Sequence, residues 1–137
     1  MQNPFHINTE NDNVLFINPS WMVHFANKWE YLTKYQKAFI SRLLFSTRVG
    51  NLSEVADFCN CKTNKKKFNS SIKLLVDFKI VICSNYKEND LMEVPMEFHP
   101  TKTSKSTKTW KLADDWYMRL ILSDIENQSK DKNRLNY

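Results

Sequence analysis

Gly50 is the only glycine among the 137 residues of this chain, and this scarcity limits the sites that the fold can contain. A Rossmann dinucleotide-binding fingerprint requires three glycines and a P-loop requires two, because the backbone must turn tightly and approach phosphates closely. A chain with one glycine cannot contain either motif. The sequence therefore excludes Rossmann-type dinucleotide enzymes and Walker-type nucleotide hydrolases.

The length of 137 residues predicts one domain, which we place at residues 14–126, between a mobile N-terminal segment at 1–13 and a frayed C-terminal tail at 127–137. No stretch approaches 18 consecutive apolar residues, so we expect no membrane span. Residues 1–12 lack the basic and apolar regions of a secretory signal. The odd count of three cysteines favours reduced thiols in a cytoplasmic protein.

A zinc site is the alternative interpretation of these cysteines. Cys59 and Cys61 are separated by one residue, and Cys83 and His99 would complete a set of four ligands. Structural zinc usually takes cysteine pairs two to four residues apart, whereas free cysteine is among the most buried residue types. We therefore predict buried thiols, no metal and no cofactor.

Apolar residues at helical spacing predict five helices. These helices span residues 19–30, 33–47, 51–59, 65–78 and 113–125. Asn51 and Glu54 form a variant of the capping box at the start of the third helix. Gly50 is expected to stop the preceding helix as a C-cap or tight turn.

Between the last two helices the pattern changes from helix to strand. Residues 80–83 are apolar and β-branched, and residues 109–112 predict a returning strand. The segment between them is expected to be irregular, with a partial strand near 91–94. The sequence therefore predicts a mainly α fold with a small β-hairpin.

Apolar residues between positions 51 and 82 follow a fixed order. The order begins with an apolar pair, the last core residue of a short helix and an apolar residue inside a turn. Three spaced core residues of a second helix follow, and then an apolar pair that opens a strand. These positions are Val55-Ala56, Cys59, Cys61, Phe68, Ile72, Leu75 and Ile80-Val81. Residues 33–112 thereby resemble the winged helix-turn-helix superfamily, in which three helices precede a hairpin called the wing. The resemblance implies a DNA-binding domain with flanking N- and C-terminal helices, and it places Lys79 where the pattern often has glycine.

Positive charge is concentrated in two segments of the chain. Residues 62–79 contain six lysines and one acid, for a net charge of +5, and residues 100–111 contain four lysines and no acid. The remainder of the chain has a net charge of −4. The resemblance implies that the basic segments are the recognition helix and the wing, the elements that a winged helix presents to duplex DNA.

Within these segments, lysines would neutralise phosphates, Asn64 would cap helix 65–78, and Asn69 would pair with adenine edges. The candidate DNA-binding residues are Lys62, Asn64, Lys65, Lys66, Lys67, Asn69, Ser70, Lys73, Lys102, Lys105 and Lys108. We predict a sequence-specific transcriptional regulator that contacts double-stranded DNA with helix 65–78 and a basic wing at 101–111. Two alternatives remain: a plasmid or phage replication or maintenance protein, and a winged-helix interaction module with an acidic protein partner.

The flanking helices 19–30 and 113–125 contain Trp21, Trp29 and Trp116. These aromatic residues indicate either packing within the chain or a homodimer interface. A dimer would place two recognition helices one turn of DNA apart. The three histidines are scattered and no nucleophile lies beside a base, so we expect no enzymatic activity.

Overall fold

The computed structural model describes residues 7–8, 14–15, 19–59, 64–100 and 102–130. These residues are mainly helical and include a small three-stranded antiparallel sheet, which agrees with the predicted mainly α composition. The helices are α1 (Pro19–Glu30), α2 (Lys34–Leu43), α3 (Leu52–Phe58), α4 (Lys65–Asp77) and α5 (Trp116–Leu122). The strands are β1 (Ile7–Asn8), β2 (Val14–Leu15), β3 (Arg48–Gly50), β4 (Val81–Asn85) and β5 (Lys108–Leu112).

The main sheet has the strand order β3-β5-β4, with both pairings antiparallel. β4 and β5 form the predicted hairpin, in which Val81 lies opposite Leu112. β3 was not predicted, and it pairs with the other edge of β5, where Arg48 lies opposite Trp110. The predicted C-cap or turn at Gly50 is wrong, because Gly50 ends β3 and its carbonyl accepts a hydrogen bond of 3.0 Å from Trp110 Nε1.

The core lies between α2, α4 and the sheet. Phe39 and Phe68 are fully buried and meet edge to face, with ring centroids 5.9 Å apart. Trp110 on β5 approaches Phe39 at the same distance. Burying a phenylalanine side chain contributes about 1.5–3 kcal/mol, so this aromatic cluster holds the two helices on the sheet.

Capping boxes begin α2 and α3. Thr33 caps α2, since its hydroxyl accepts from Gln36 N at 3.2 Å and its own N–H donates to Gln36 Oε1 at 2.9 Å. Asn51 and Glu54 make the same reciprocal pair at α3, as the sequence predicted. α2 ends at Leu43 rather than near residue 47, and the chain then enters β3.

The last helix is shorter than predicted. Ala113 remains paired with the sheet, because its N–H donates to Ile80 O at 3.0 Å, so α5 begins only at Trp116. A 3₁₀ turn, Ile125–Lys130, follows α5 and includes residues that we assigned to the C-terminal tail. Within it, Gln128 is buried and exchanges two hydrogen bonds with the amide of Gln36, at 2.8 and 3.1 Å.

Some predicted features lie outside the described residues. They comprise the rest of the tail at 131–137, most of the mobile segment 1–13, and positions 60–63 with Cys61 and Lys62. In the N-terminal segment, β1 pairs with β2 through Ile7 opposite Leu15.

Candidate nucleic-acid interface

α4 is the predicted recognition helix, and its bounds differ from the prediction by one residue. Asn64 occupies the N-cap position, but its side chain makes no capping hydrogen bond, so the predicted cap is wrong in this respect. The helix ends in a Schellman motif: Lys79 N donates to Val76 O at 2.9 Å and Ile80 N donates to Leu75 O at 3.0 Å. Lys79 has a φ of 61° and thus takes the left-handed position that glycine usually occupies.

The two faces of α4 differ sharply in exposure. The face toward the core is buried and contains Phe68, Ser71, Ile72 and Leu75. The opposite face is exposed and contains Lys65, Lys66, Asn69, Ser70, Lys73 and Asp77. Lys67 is half-buried between the two faces. The packing of α4 therefore directs its predicted contact residues outward.

Two of the predicted contact residues on α4 already have partners within the chain. Lys65 Nζ donates to Ser53 Oγ at 2.6 Å and lies 3.8 Å from Asp57 Oδ1, so it is tied to α3. Ser70 Oγ donates to Lys66 O at 3.1 Å, within its own helix. These bonds reduce what Lys65 and Ser70 can offer to a ligand.

Three predicted contact residues on the exposed face have unengaged side chains. Within the described part of the chain, Lys66, Asn69 and Lys73 make no side-chain hydrogen bond or ion pair. Their positions at i, i+3 and i+7 place them on one stripe of the helix. These three unpaired donors therefore form a single row that is open to solvent.

The basic end of the β4–β5 connection is also exposed. Lys102 and Lys105 lie in a small turn in which Ser104 N donates to Thr107 Oγ1 at 2.8 Å. Lys108 is half-buried at the start of β5, and its Nζ donates to Asn85 Oδ1 at 2.7 Å across the hairpin. Lys102 and Lys105 are therefore the freer cations of the predicted wing.

The first part of the same connection is folded back on the body of the protein. The predicted partial strand at 91–94 is wrong, since Glu88–Glu93 form a 3₁₀ turn and Met96–Phe98 form a second one. The Asp90 carboxylate accepts from Thr109 Oγ1 at 2.6 Å and from Lys87 N at 2.8 Å. These hydrogen bonds, first that of Thr109, lower the pKa of Asp90.

The cysteines are only partly as predicted. Cys59 is buried in the core, whereas Cys83 on β4 is half-exposed because its strand is at the edge of the sheet. Burial raises the pKa of the Cys83 thiol, and nearby Lys108 opposes this effect. In the described ranges, which omit Cys61, no three His, Cys, Asp or Glu side chains are grouped as metal ligands.

An apolar groove of about 470 Å³ lies between α1, α2 and α5. Its lining residues are Phe25, Trp29, Ser41, Leu44, Trp116 and Tyr117. Phe25 meets Trp116 edge to face at 5.6 Å, so α1 and α5 pack on each other within one chain. Burial raises the pKa of the Tyr117 hydroxyl, and the charges of Asp115 and Asp114 add to this shift.

No protein-family model, curated protein or solved structure matches this chain significantly. No helix in the described ranges is long and apolar enough to cross a bilayer. Sequence reasoning missed Arg48, a buried cation on the unpredicted strand β3. A lone arginine in a three-residue strand gives no local signal, since its burial depends on residues 50 or more positions away.

Proposed function

We propose that this protein is a winged helix-turn-helix protein that binds double-stranded DNA with α4 and residues 101–111. The order α2, α3, α4 and then the β4–β5 hairpin supports the proposal, because three helices followed by a hairpin is the order of that superfamily. The packing of α4 supports it too, since Phe68 and Ile72 hold the helix against the core while its basic face is open.

The observation that supports DNA binding most strongly is the unpaired row of Lys66, Asn69 and Lys73 on α4. Lysines without internal partners keep a mobile charge that phosphates can neutralise with release of counterions. Asn69 lies between them, and an asparagine amide can form two hydrogen bonds with an adenine edge in the major groove. The row thus combines non-specific and base-specific contacts.

The wing would add phosphate contacts next to the recognition helix. Lys102 and Lys105 are exposed in a short turn rich in serine and threonine, whose hydroxyl groups also donate to phosphates. Lys65 and Lys108 would contribute less, because leaving Asp57 or Asn85 for a phosphate exchanges one polar contact for another. We further propose that the target is a specific operator and that the protein regulates transcription.

We also propose that two copies bind together through the outer surfaces of α1 and α5. Val23 on α1 is 68% exposed and Leu122 on α5 is 69% exposed, although both are apolar. The groove lined by Trp29 and Tyr117 is open between these helices and α2. Sequences selected by the protein from a random DNA pool should therefore be palindromic, and a consensus without symmetry would contradict the dimer.

The test of DNA binding is a titration of duplex affinity against salt. The four free lysines on α4 and the wing, Lys66, Lys73, Lys102 and Lys105, should give a slope of log K against log salt of about −3 to −4. Replacing Lys66 and Lys73 with alanine should weaken binding to every sequence and flatten the slope by about 2. Asn69→Ala should change the sequence preference more than the slope.

Lys34→Ala combined with Lys37→Ala is the matched control, because it removes two lysines from α2 instead of α4. This control should keep the slope and most of the affinity. Absence of measurable duplex affinity at low salt would overturn the proposal. Tight binding of an acidic protein under those conditions would then favour the interaction-module alternative.

A further inference from the structure

Arg48 is a buried cation whose charge is not balanced by its surroundings. Arg48 is only 3% exposed. In the described part of the chain, neither its Nε nor its Nη1 has a hydrogen-bond partner. Removing a charge from water is costly unless the charge is paired and its donors are bonded. Arg48 thus has buried N–H donors without acceptors, a state that a bound hydrogen-bond acceptor would stabilise.

The aromatic contact of Arg48 does not supply such a ligand. Its Cζ lies 4.2 Å from the centroid of the Phe98 ring, which in turn meets Phe58 edge to face at 5.9 Å. A ring face attracts a cation, but the N–H groups lie in the guanidinium plane and point away from it. Phe98 thus covers one face of the guanidinium and leaves the buried donors Nε and Nη1 without an acceptor.

A second arginine lies close by. Arg42 Nε donates to Phe58 O at 3.3 Å, at the end of α3, so this carbonyl is already satisfied by a cation other than Arg48. In the described ranges neither arginine forms an ion pair with a carboxylate. Burial lowers the pKa of Arg48; the positive charge of Arg42 adds to this, and Cys59 opposes it.

We propose that Arg48, together with Arg42, binds one small oxyanion, either a phosphate group or a carboxylate. The guanidinium edge presents two parallel N–H donors, and this fork matches two oxygens of such an anion. The ligand is small because Phe98 and β3 bury Arg48 too deeply for the backbone of a duplex. The inference is independent of DNA binding by α4.

The test measures thermal unfolding of the full chain in sodium phosphate, in sodium acetate and in sodium chloride at equal ionic strength. Binding to the folded state alone should raise the Tm by about 5 °C when the anion is at ten times its Kd. A response to phosphate without acetate assigns a phosphate ligand, and the reverse assigns a carboxylate. Equal Tm values in all three salts would overturn the proposal.

Arg48→Met should abolish the anion response, because methionine keeps an apolar stem beside Phe98 but has no donors. Lys37→Met is the matched control and should keep the response, since Lys37 lies on the same helix as Arg42 but about 140° around its axis. An undiminished response in Arg48→Met would show a general salt effect and refute the site. If Arg48→Met does not fold, the side-chain Nε–H resonance of Arg48 in the unmodified protein decides: it should shift during the phosphate or acetate titration and stay unchanged in chloride.

Discussion

The connection between β4 and β5 has two halves of opposite character. Residues 88–98 contain four acids and no base, whereas residues 102–107 contain two lysines and no acid. The acidic half forms two 3₁₀ turns. The first is bonded to β5 through Asp90 and Thr109, and the second packs on β3 and α3 through Phe98. The basic half forms one exposed turn. The sign of the charge and the attachment to the core therefore both change between residues 98 and 102 of the connection.

Contacts with distant residues attach the acidic half. Phe98 covers Arg48, and Ser46 Oγ donates to Glu93 O at 3.4 Å. Val94 is buried, and His99 Nε2 lies 2.8 Å from its carbonyl, to which it donates. In the basic half, the side-chain hydrogen bonds that the structure describes for residues 102–106 are local to the turn, such as that between Ser104 and Ser106 at 2.8 Å.

This difference indicates that the acidic half of the connection serves folding and that the basic half is available for binding. Side chains of the acidic half contribute to stability because they bury apolar area and satisfy backbone groups. In the basic half, Lys102 and Lys105 are free to meet a ligand because they are exposed and make no ion pair in the described part of the chain. Substitutions in the two halves should therefore differ in their effect on the free energy of unfolding. Three substitutions, in decreasing order of that effect, test this difference.

Phe98→Ala should have the largest effect, with a loss of about 2 kcal/mol in the free energy of unfolding. The substitution removes a half-buried ring from Arg48 and Phe58 and leaves the guanidinium uncovered. Urea denaturation measures the change. Phe45→Ala is the control, because Phe45 is 84% exposed, and it should change stability by less than about 0.5 kcal/mol. Equal losses in both variants would mean that the acidic half is not anchored by Phe98.

Asp90→Ala should have an intermediate effect of about 1 kcal/mol at pH 7, because it removes the acceptor for Thr109 Oγ1 and Lys87 N. The pKa of Asp90 is lowered in the folded state, so its contribution is complete above the unfolded pKa of about 4 and is lost as the pH falls through the folded value. The stability difference between the two proteins should therefore shrink in acid. Glu97→Ala, which removes an exposed carboxylate from the same segment, is the control and should change stability by less than about 0.5 kcal/mol. A difference that stays constant down to low pH would contradict the role of the carboxylate.

Local sequence was sufficient for the elements whose stabilising contacts repeat along the chain. α4 was predicted within one residue because Phe68, Ile72 and Leu75 mark one face of a helix. β3 was missed because its existence depends on pairing with β5, and Arg48 lies opposite Trp110, more than 60 residues away. A three-residue strand with one β-branched residue gives no periodic signal of its own.

In the candidate site, too, the sequence predicted the features that depend on neighbouring residues and missed those that depend on distant ones. The outward direction of Lys66 and Lys73 follows from the spacing of the core residues on the same helix. The engagement of Lys65 with Asp57 and of Lys108 with Asn85 was not predictable, since each pair joins different elements. Charge counting found the basic segments but gave no indication of which lysines are free.

Lys102→Glu combined with Lys105→Glu should have the smallest effect on folding, with a change of less than about 0.5 kcal/mol in the free energy of unfolding. Both side chains are exposed and make no ion pair in the described part of the chain, so their reversal breaks no contact. If Lys102 and Lys105 contact phosphates as proposed, duplex affinity should nevertheless fall and the salt slope should flatten by about 2, because both contacts become repulsive. Glu88→Lys combined with Glu97→Lys is the control, because it replaces two negative charges of the acidic half with positive ones. It raises the net charge by 4, as much as the first pair lowers it, and the salt slope should stay the same. If this control steepened the slope as much as the first pair flattened it, the substitutions would act through the net charge of the protein alone. Lys102 and Lys105 would then have no particular role in DNA binding.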